Sequence, residues 1–124
     1  MSKREVGKAR VKEILGEKAP EKIHDLLGAI SPDFANYIYD FVYGELYARK
    51  GFPDKTLEVA AVACLLGQRN MGVPLQSHFK GMLNVGWKKE EIVELLLFLS
   101  SYAGFPTIVD AFGVLKEVLK EVSE

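Results

Sequence analysis

Two side chains in this sequence combine a chemically useful group with an apolar setting. Glu58 stands inside a segment, residues 57–66, in which every other side chain is apolar. His78 lies on the apolar stripe of its own segment, three residues after Leu75 and four before Met82. A buried carboxylate must be neutral, paired or hydrogen-bonded, and histidine changes its charge near neutral pH. Because such groups are the usual agents of proton transfer, both are candidate catalytic residues.

Structural roles are also open for these residues. A lone histidine on an apolar face is more often a core residue with a satisfied hydrogen bond, and Glu58 could pair with a lysine near the end of its helix. We expect Cys64 to pack in the core as a small hydrophobic residue, and His24 to lie on the surface. Spacing alone leaves these alternatives open.

The elements that position these groups have the periodicity of helices, with single Gly and Pro residues between them. Ser31-Pro32 starts one helix, because serine caps free amides and proline suits the first turn. Lys50-Gly51 ends it, since glycine tolerates positive φ. Residues 57–66 predict a central helix that is buried all round. Further helices are predicted at residues 6–15, 20–28, 75–85, from 90 onward and at 106–122. No alternating strand pattern is present, so we predict an all-α fold of about six or seven helices.

Length and composition disfavour several classes of protein. The 124 residues predict one domain, the net charge of -1 gives no basic excess for nucleic acid, and one cysteine excludes a disulfide framework. Two histidines and one cysteine disfavour a structural zinc site. The N-terminal residues lack an apolar signal-peptide core, and residues 92–103 are too short and too interrupted to span a bilayer. We therefore predict a cytoplasmic protein with neither a nucleic-acid nor a membrane partner.

The candidate residues sit in a pattern that resembles the carboxymuconolactone decarboxylase family, which shares its fold with the alkyl hydroperoxidase D proteins. The matching segments are residues 55–60 (KTLEVA), 75–86 (LQSHFKGMLNVG), 90–94 (EEIVE) and 102–106 (YAGFP). Residues 31–49 also look like the helix that precedes this core in the family. Together these segments cover roughly three-quarters of the chain.

The resemblance implies a fold, a domain organisation and an assembly. It implies an alkyl hydroperoxidase D-like helical fold, with one domain over residues 1–124. Residues 1–30 would form an N-terminal helical extension and residues 31–122 the core. It also implies a homotrimer or homohexamer with the site near subunit contacts, which suits a short chain that has more apolar helix faces than one core can easily cover.

The branch of the family follows from the residues around the histidine. The peroxidase-like branch carries a Cys-x-x-Cys pair that ends four residues before it, where this chain has Met71 and Pro74. Neither residue can form a thiolate, and Cys64 lies too far upstream to replace them, so dithiol peroxidase activity is excluded. The decarboxylase-like branch lacks these cysteines and keeps a glutamate and a histidine, which Glu58 and His78 match.

The resemblance implies a lyase that removes carbon dioxide from a carboxylated unsaturated lactone in aromatic-acid breakdown, without cofactor or metal. His78 would give or accept the proton, and Glu58 would orient the imidazole or hold the proton between cycles. The substrate is a small molecule whose own conjugated carbonyl takes up the electrons.

The predicted substrate-binding residues are Phe79, Met82, Tyr102, Phe105 and Arg69. The aromatic and Met side chains would form apolar walls that weaken solvation of the departing carboxylate. The family often has an arginine directly before the glutamate, where this chain has Leu57. Arg69, Lys80 or a neighbouring subunit are the alternative sources of a cation for an anionic substrate.

Two other functions remain open from the sequence. The same scaffold could carry an oxidoreductase or isomerase that acts on another small molecule, since one fold hosts many activities. It could also form a non-enzymatic helical oligomer that binds a ligand or partner. A solvent-connected hollow that holds both Glu58 and His78 would favour an enzyme, whereas tight burial without a void would favour the structural role.

Overall fold

The computed structural model describes residues 1–123, and every regular element in that range is a helix. There are seven helices, as the sequence predicted: α1 Lys3–Leu15, α2 Ala19–Ile23, α3 Pro32–Tyr37, α4 Asp54–Gly67, α5 Val73–Asn84, α6 Lys89–Ala103 and α7 Phe105–Val122. α2 continues as a π-helical turn, His24–Gly28, and α3 continues as a π-helical segment, Ile38–Leu46, followed by a 3₁₀ turn, Tyr47–Arg49. None of the described helices has both the length and the apolar character needed to cross a membrane.

The chain groups into two compact units, Met1–Pro53 and the residues from Asp54 onward. In the first unit, α1 packs closely on the π-helical segment Ile38–Leu46. Gly7 makes this approach possible, because a Cβ there would overlap the carbonyl oxygen of Tyr39. Arg10 is buried beneath the contact, where Nε and Nη2 both donate to the carbonyl oxygen of Tyr47 at 3.2 and 3.0 Å.

The two ends of the long helical run in the first unit were predicted with different success. Ser31 caps it as expected, with its hydroxyl accepting from the amide of Phe34 at 3.1 Å. At the other end, the positive φ falls on Lys50 (54°) and not on Gly51, so that detail of the prediction is wrong. The π-helical turns were not predicted, because a stripe of apolar residues does not distinguish one extra residue per turn from ordinary helical spacing.

The second unit contains helices α4 to α7 around one hydrophobic core. The apolar side chains that fill it are Val62, Leu66, Leu75, Phe79, Met82, Ile92, Leu96, Ile108, Ala111, Leu115 and Val118. These residues recur at helical spacing along each of the four helices, which explains why the sequence predicted their elements well.

The prediction that α4 is buried all round is wrong for the single chain. Its buried residues are Glu58, Val62 and Leu66, which recur every four residues and form one stripe. Ala60 and Cys64 are exposed. The expectation that Cys64 packs in the core is therefore also wrong, because the other helices of the unit cover only one face of α4.

Candidate active site

α4 places a carboxylate directly in the interior of the second unit. Glu58 lies one turn before Val62 on the buried stripe, and its side chain has no exposed surface. The same stripe that anchors α4 in the core therefore carries the acid inward. Burial of an ionisable group at this position is costly unless it has polar partners.

α5 supplies one of those partners. Pro74 stands in its first turn after the N-cap Gly72, and Leu75, Phe79 and Met82 anchor the helix in the core. His78 lies beside this anchor, so its ring reaches inward while 17% of its side chain stays exposed. Its Nδ1 lies 2.7 Å from Oε1 of Glu58.

The 2.7 Å contact determines where the reactive edge of the imidazole lies. A carboxylate oxygen and an unprotonated Nδ1 are both acceptors and would repel each other at this distance. At least one proton therefore lies between Nδ1 and the carboxyl group. With Glu58 ionised, Nδ1–H donates to Oε1 and leaves Nε2 as the nitrogen that can exchange a proton with another molecule. The structural role considered from the sequence, a core histidine with a satisfied hydrogen bond, is compatible with this contact. Here, however, the hydrogen-bond partner of His78 is itself an acid. The arrangement is therefore an acid–imidazole pair with one face toward solvent.

The structure brings Glu58 and His78 together, but it disperses the predicted substrate-binding residues. Phe79 and Met82 are fully buried in the core. Tyr102 and Phe105 are largely exposed, at 78% and 74%. Arg69 is exposed and follows the end of α4 with a φ of 57°. Their roles as substrate contacts stay predictions.

Two residues that contact each other beside the first turn of α4 were not singled out from the sequence as site residues. Lys55 precedes Glu58 by three residues in the first turn of α4, and its Nζ lies 4.3 Å from the centre of the Trp87 ring. Trp87 Nε1 donates to the carbonyl oxygen of Lys55 at 2.8 Å. The three-residue spacing was a usable signal, because it places Lys55 and Glu58 on neighbouring positions of one helix face. The contact with Trp87 had no signal in the sequence.

The fold and the pair define an all-helical protein with a buried acid next to a partly exposed imidazole and without the Cys-x-x-Cys pair of dithiol peroxidases. The comparisons with known proteins agree with the resemblance noted from the sequence. The profile of the carboxymuconolactone decarboxylase family matches residues 32–117, and the chain belongs to this family. A relative from Acinetobacter baylyi (strain ATCC 33305 / BD413 / ADP1), the 4-carboxymuconolactone decarboxylase, is 34% identical over 110 residues, which is 89% of this chain and 81% of the relative.

Proposed function

We propose that this protein is a cofactor-independent lyase that decarboxylates a carboxylated unsaturated lactone in the breakdown of aromatic acids. The observation that carries the proposal is the 2.7 Å contact between Glu58 and His78, in which a fully buried acid contacts an imidazole whose side chain is 17% exposed. The family and the name of the Acinetobacter relative support the reaction class. The exposed, unpaired Cys64 suits a reducing compartment such as the cytoplasm.

The reaction needs a place for electrons and a source of one proton. When the carbon–carboxylate bond breaks, its electron pair moves into the conjugated carbonyl of the lactone, and carbon dioxide leaves. The resulting enolate then takes a proton at carbon. The lactone supplies the electron sink, so the protein has to supply only orientation, an environment poor in water, and the proton.

The pair divides this work between its two members. In its protonated form, the ring of His78 offers the Nε2 proton to the carbon that has gained the electrons. Glu58, with its carboxylate on Nδ1, fixes the orientation of the ring and stabilises the positive charge before transfer. Between turnovers, the ring recovers a proton from solvent, which reaches the partly exposed side chain.

We also propose that the chain works as a homotrimer or homohexamer in which the exposed apolar face of α6 and α7 is covered by another copy. This face consists of Leu97, Phe98, Tyr102, Phe105, Val109 and Phe112. The rings of Phe98 and Tyr102 pack together, 5.5 Å between centroids, yet both remain mostly exposed. Contiguous apolar surface of this kind is typical of interaction sites. Light scattering of wild type and of Phe98→Glu tests this: a trimer or hexamer is expected for wild type and smaller species for the variant, and monomeric wild type contradicts it.

The function is tested by the release of carbon dioxide from 4-carboxymuconolactone and from a panel of unsaturated lactones with and without a carboxylate on the ring. We expect turnover only with a carboxylated, conjugated lactone, and no requirement for added cofactor. Redox turnover of a quinone or rearrangement of a lactone without loss of carbon dioxide would instead assign one of the alternative functions.

A further inference from the structure

The second unit holds an ammonium group one turn before Glu58 that no carboxylate neutralises among the described residues. Lys55 makes neither an ion pair nor a hydrogen bond through Nζ in residues 1–123; its ammonium lies over the face of Trp87, 4.3 Å from the ring centre. A cation–π contact attracts the ammonium without cancelling its charge or occupying all three of its N–H donors. The charge therefore stays available to an anion.

Lys55 is an exposed residue, but a contact at each end of its side chain restricts the position of the ammonium. The indole Nε1–H of Trp87 donates to the Lys55 carbonyl oxygen at 2.8 Å, so the ring is tied to the lysine backbone as well as to its ammonium. The methylene stem passes over Gly86, where Cδ and Cε would lie 3.9 Å from a Cβ on that residue. A lysine normally loses much side-chain freedom when it binds a ligand, and here part of that ordering is already present.

Stability of α4 does not explain this placement. The first turn of a helix is the end at which the helix dipole disfavours a positive charge. The other charged side chain in the turn, Asp54, has contacts of its own. A cation that is held at an electrostatically unfavourable helix end and lacks a carboxylate partner is better explained by an anionic ligand.

The other cations considered from the sequence are less suited to an anion at the Glu58–His78 pair. α4 ends at Gly67, roughly 13 Å along the helix axis from Glu58 at the α-helical rise, and Arg69 lies beyond that end, opposite to Lys55. Lys80 follows His78 by two residues and thus points to a different side of α5. Its Nζ is 2.7 Å from Oε1 of Glu121 and already paired.

We propose that Lys55 is a substrate-binding residue that holds the carboxylate the lactone keeps, while His78 faces the ring carbon that takes up the proton. This inference rests on the proposed function. Lys55 and Glu58 lie three residues apart on α4, with Cβ atoms about 5–6 Å apart, so the Lys55 side chain starts one turn from the acid that contacts His78. A cation on the departing carboxylate would hold back the electrons that must leave it, so the cation belongs on the retained one.

This assignment predicts a specific kinetic signature. A contact to the retained carboxylate is equally strong before and during bond cleavage, so its loss raises KM and leaves kcat nearly unchanged. For Lys55→Gln we expect KM for 4-carboxymuconolactone to rise about tenfold or more, as for the loss of one charge-assisted hydrogen bond, with kcat within about threefold. Lys55→Arg retains the charge and should restore most of the affinity. Lys116→Gln, on the exposed side of α7, is the matched control for the loss of one lysine charge.

Trp87 is the only tryptophan of the chain, so its fluorescence reports directly on the ammonium above it. The probes are a saturated γ-butyrolactone with an acetic acid arm, which cannot lose carbon dioxide by this route, and its methyl ester. We expect the acid to change the emission of wild type and of Lys116→Gln, and to bind Lys55→Gln about tenfold or more weakly. The ester should not distinguish wild type from Lys55→Gln.

The two measurements separate this inference from the proposed function. Equal KM values and equal acid titrations for wild type and Lys55→Gln would overturn the role of Lys55 while decarboxylation by wild type still stands. Acid binding that depends on Lys55, in a protein that decarboxylates no lactone, would leave the carboxylate site intact and reject the function. If neither the acid titration nor KM depends on Lys55, the inference is rejected.

Discussion

Among the described residues, each of the two units buries one charged side chain, and the partners of the two differ. In the first unit, Arg10 is 3% exposed; its guanidinium donates twice to the backbone carbonyl of Tyr47 and lies 3.4 Å from a carboxylate oxygen of Glu13. In the second unit, Glu58 is fully buried and contacts the imidazole of His78. Both arrangements provide a buried charge with polar contacts, yet an imidazole ordinarily changes its charge near neutral pH, whereas a carbonyl and a surface carboxylate do not.

This difference separates a structural use of buried charge from a chemical one. The Arg10 guanidinium stays charged at any ordinary pH and stabilises the end of the helical run that begins at Ser31. The Glu58–His78 pair can redistribute a proton without changing its geometry. Arg10 and Glu58 are both buried, so burial alone does not indicate which of them takes part in a reaction. The chemical nature of the partner does.

Replacement of the imidazole should have the largest effect. In His78→Asn the side-chain amide can still donate to Glu58, so the buried acid keeps a hydrogen bond, but no group remains to transfer a proton. We expect kcat for the lactone to fall by about two to four orders of magnitude, with the helical circular dichroism and oligomeric state unchanged.

His24→Asn is the matched control, because His24 is an exposed histidine of the first unit. It should retain wild-type kcat. If His78→Asn and His24→Asn both had the kcat of wild type, His78 would be a structural residue like Arg10. The two units would then not differ in how they use a buried charge.

Replacement of the buried guanidinium should affect stability rather than chemistry. Arg10→Met keeps an extended apolar stem but removes two hydrogen bonds to the carbonyl of Tyr47 and the 3.4 Å ion pair with Glu13. We expect the free energy of unfolding in urea to fall by about 1.5–3 kcal/mol, the typical worth of a hydrogen bond from a charged group. The kcat of the remaining folded protein should stay within about twofold of wild type, and a loss comparable to that of His78→Asn would place Arg10 in the catalytic machinery.

Removal of the negative charge from the acid should lower turnover. Glu58→Gln has nearly the same shape and can hydrogen-bond to Nδ1, but the protonated ring loses its counter-charge. We expect kcat to fall by about tenfold or more, as for the loss of one charge-assisted hydrogen bond. Equal kcat values for variant and wild type would show that Glu58 takes no part in proton transfer.

The smallest effect is expected for the exposed pair of Arg4 and Asp40 in the first unit. Hydrogen bonds from the Arg4 guanidinium, together with its charge, hold the pKa of Asp40 below the usual 3.8. Because the folded pKa is lowered, the pair adds stability above the unfolded pKa, and this contribution is lost as pH falls through the folded pKa. Asp40→Asn should slightly lower the urea midpoint at neutral pH, and the gap from wild type should close in strong acid. A gap that is equal at both pH values would contradict this origin.

The sequence predicted most of the helices because their boundaries depend on local chemistry. The Ser31 cap and Pro32 in the first turn act within a few residues, and both lie where a helix begins. Two other features of the first unit could not be predicted in this way. The positive φ falls on Lys50 although the neighbouring Gly51 suits it better, and an apolar stripe does not distinguish π-helical from α-helical spacing.

For the site, residue types singled out Glu58 and His78, and only the family resemblance implied that the acid orients the imidazole. Glu58 stood out because it interrupts an apolar helix, and His78 because it lies on an apolar stripe. The bond between them depends on how α4 packs against α5, and residue types cannot specify an interhelical register. The same reason explains why Phe79 and Met82, predicted to contact substrate, lie in the core, and why the contact of Lys55 with Trp87 was missed.

The central claim, that the imidazole held by Glu58 delivers a proton to one face of the substrate, is tested most directly by turnover of 4-carboxymuconolactone in deuterium oxide. The product, quenched early and analysed by NMR, should carry one deuteron at the newly protonated carbon in a single configuration. Delivery from bulk water to an enolate that has left the protein would give both configurations equally, and that result would contradict the account.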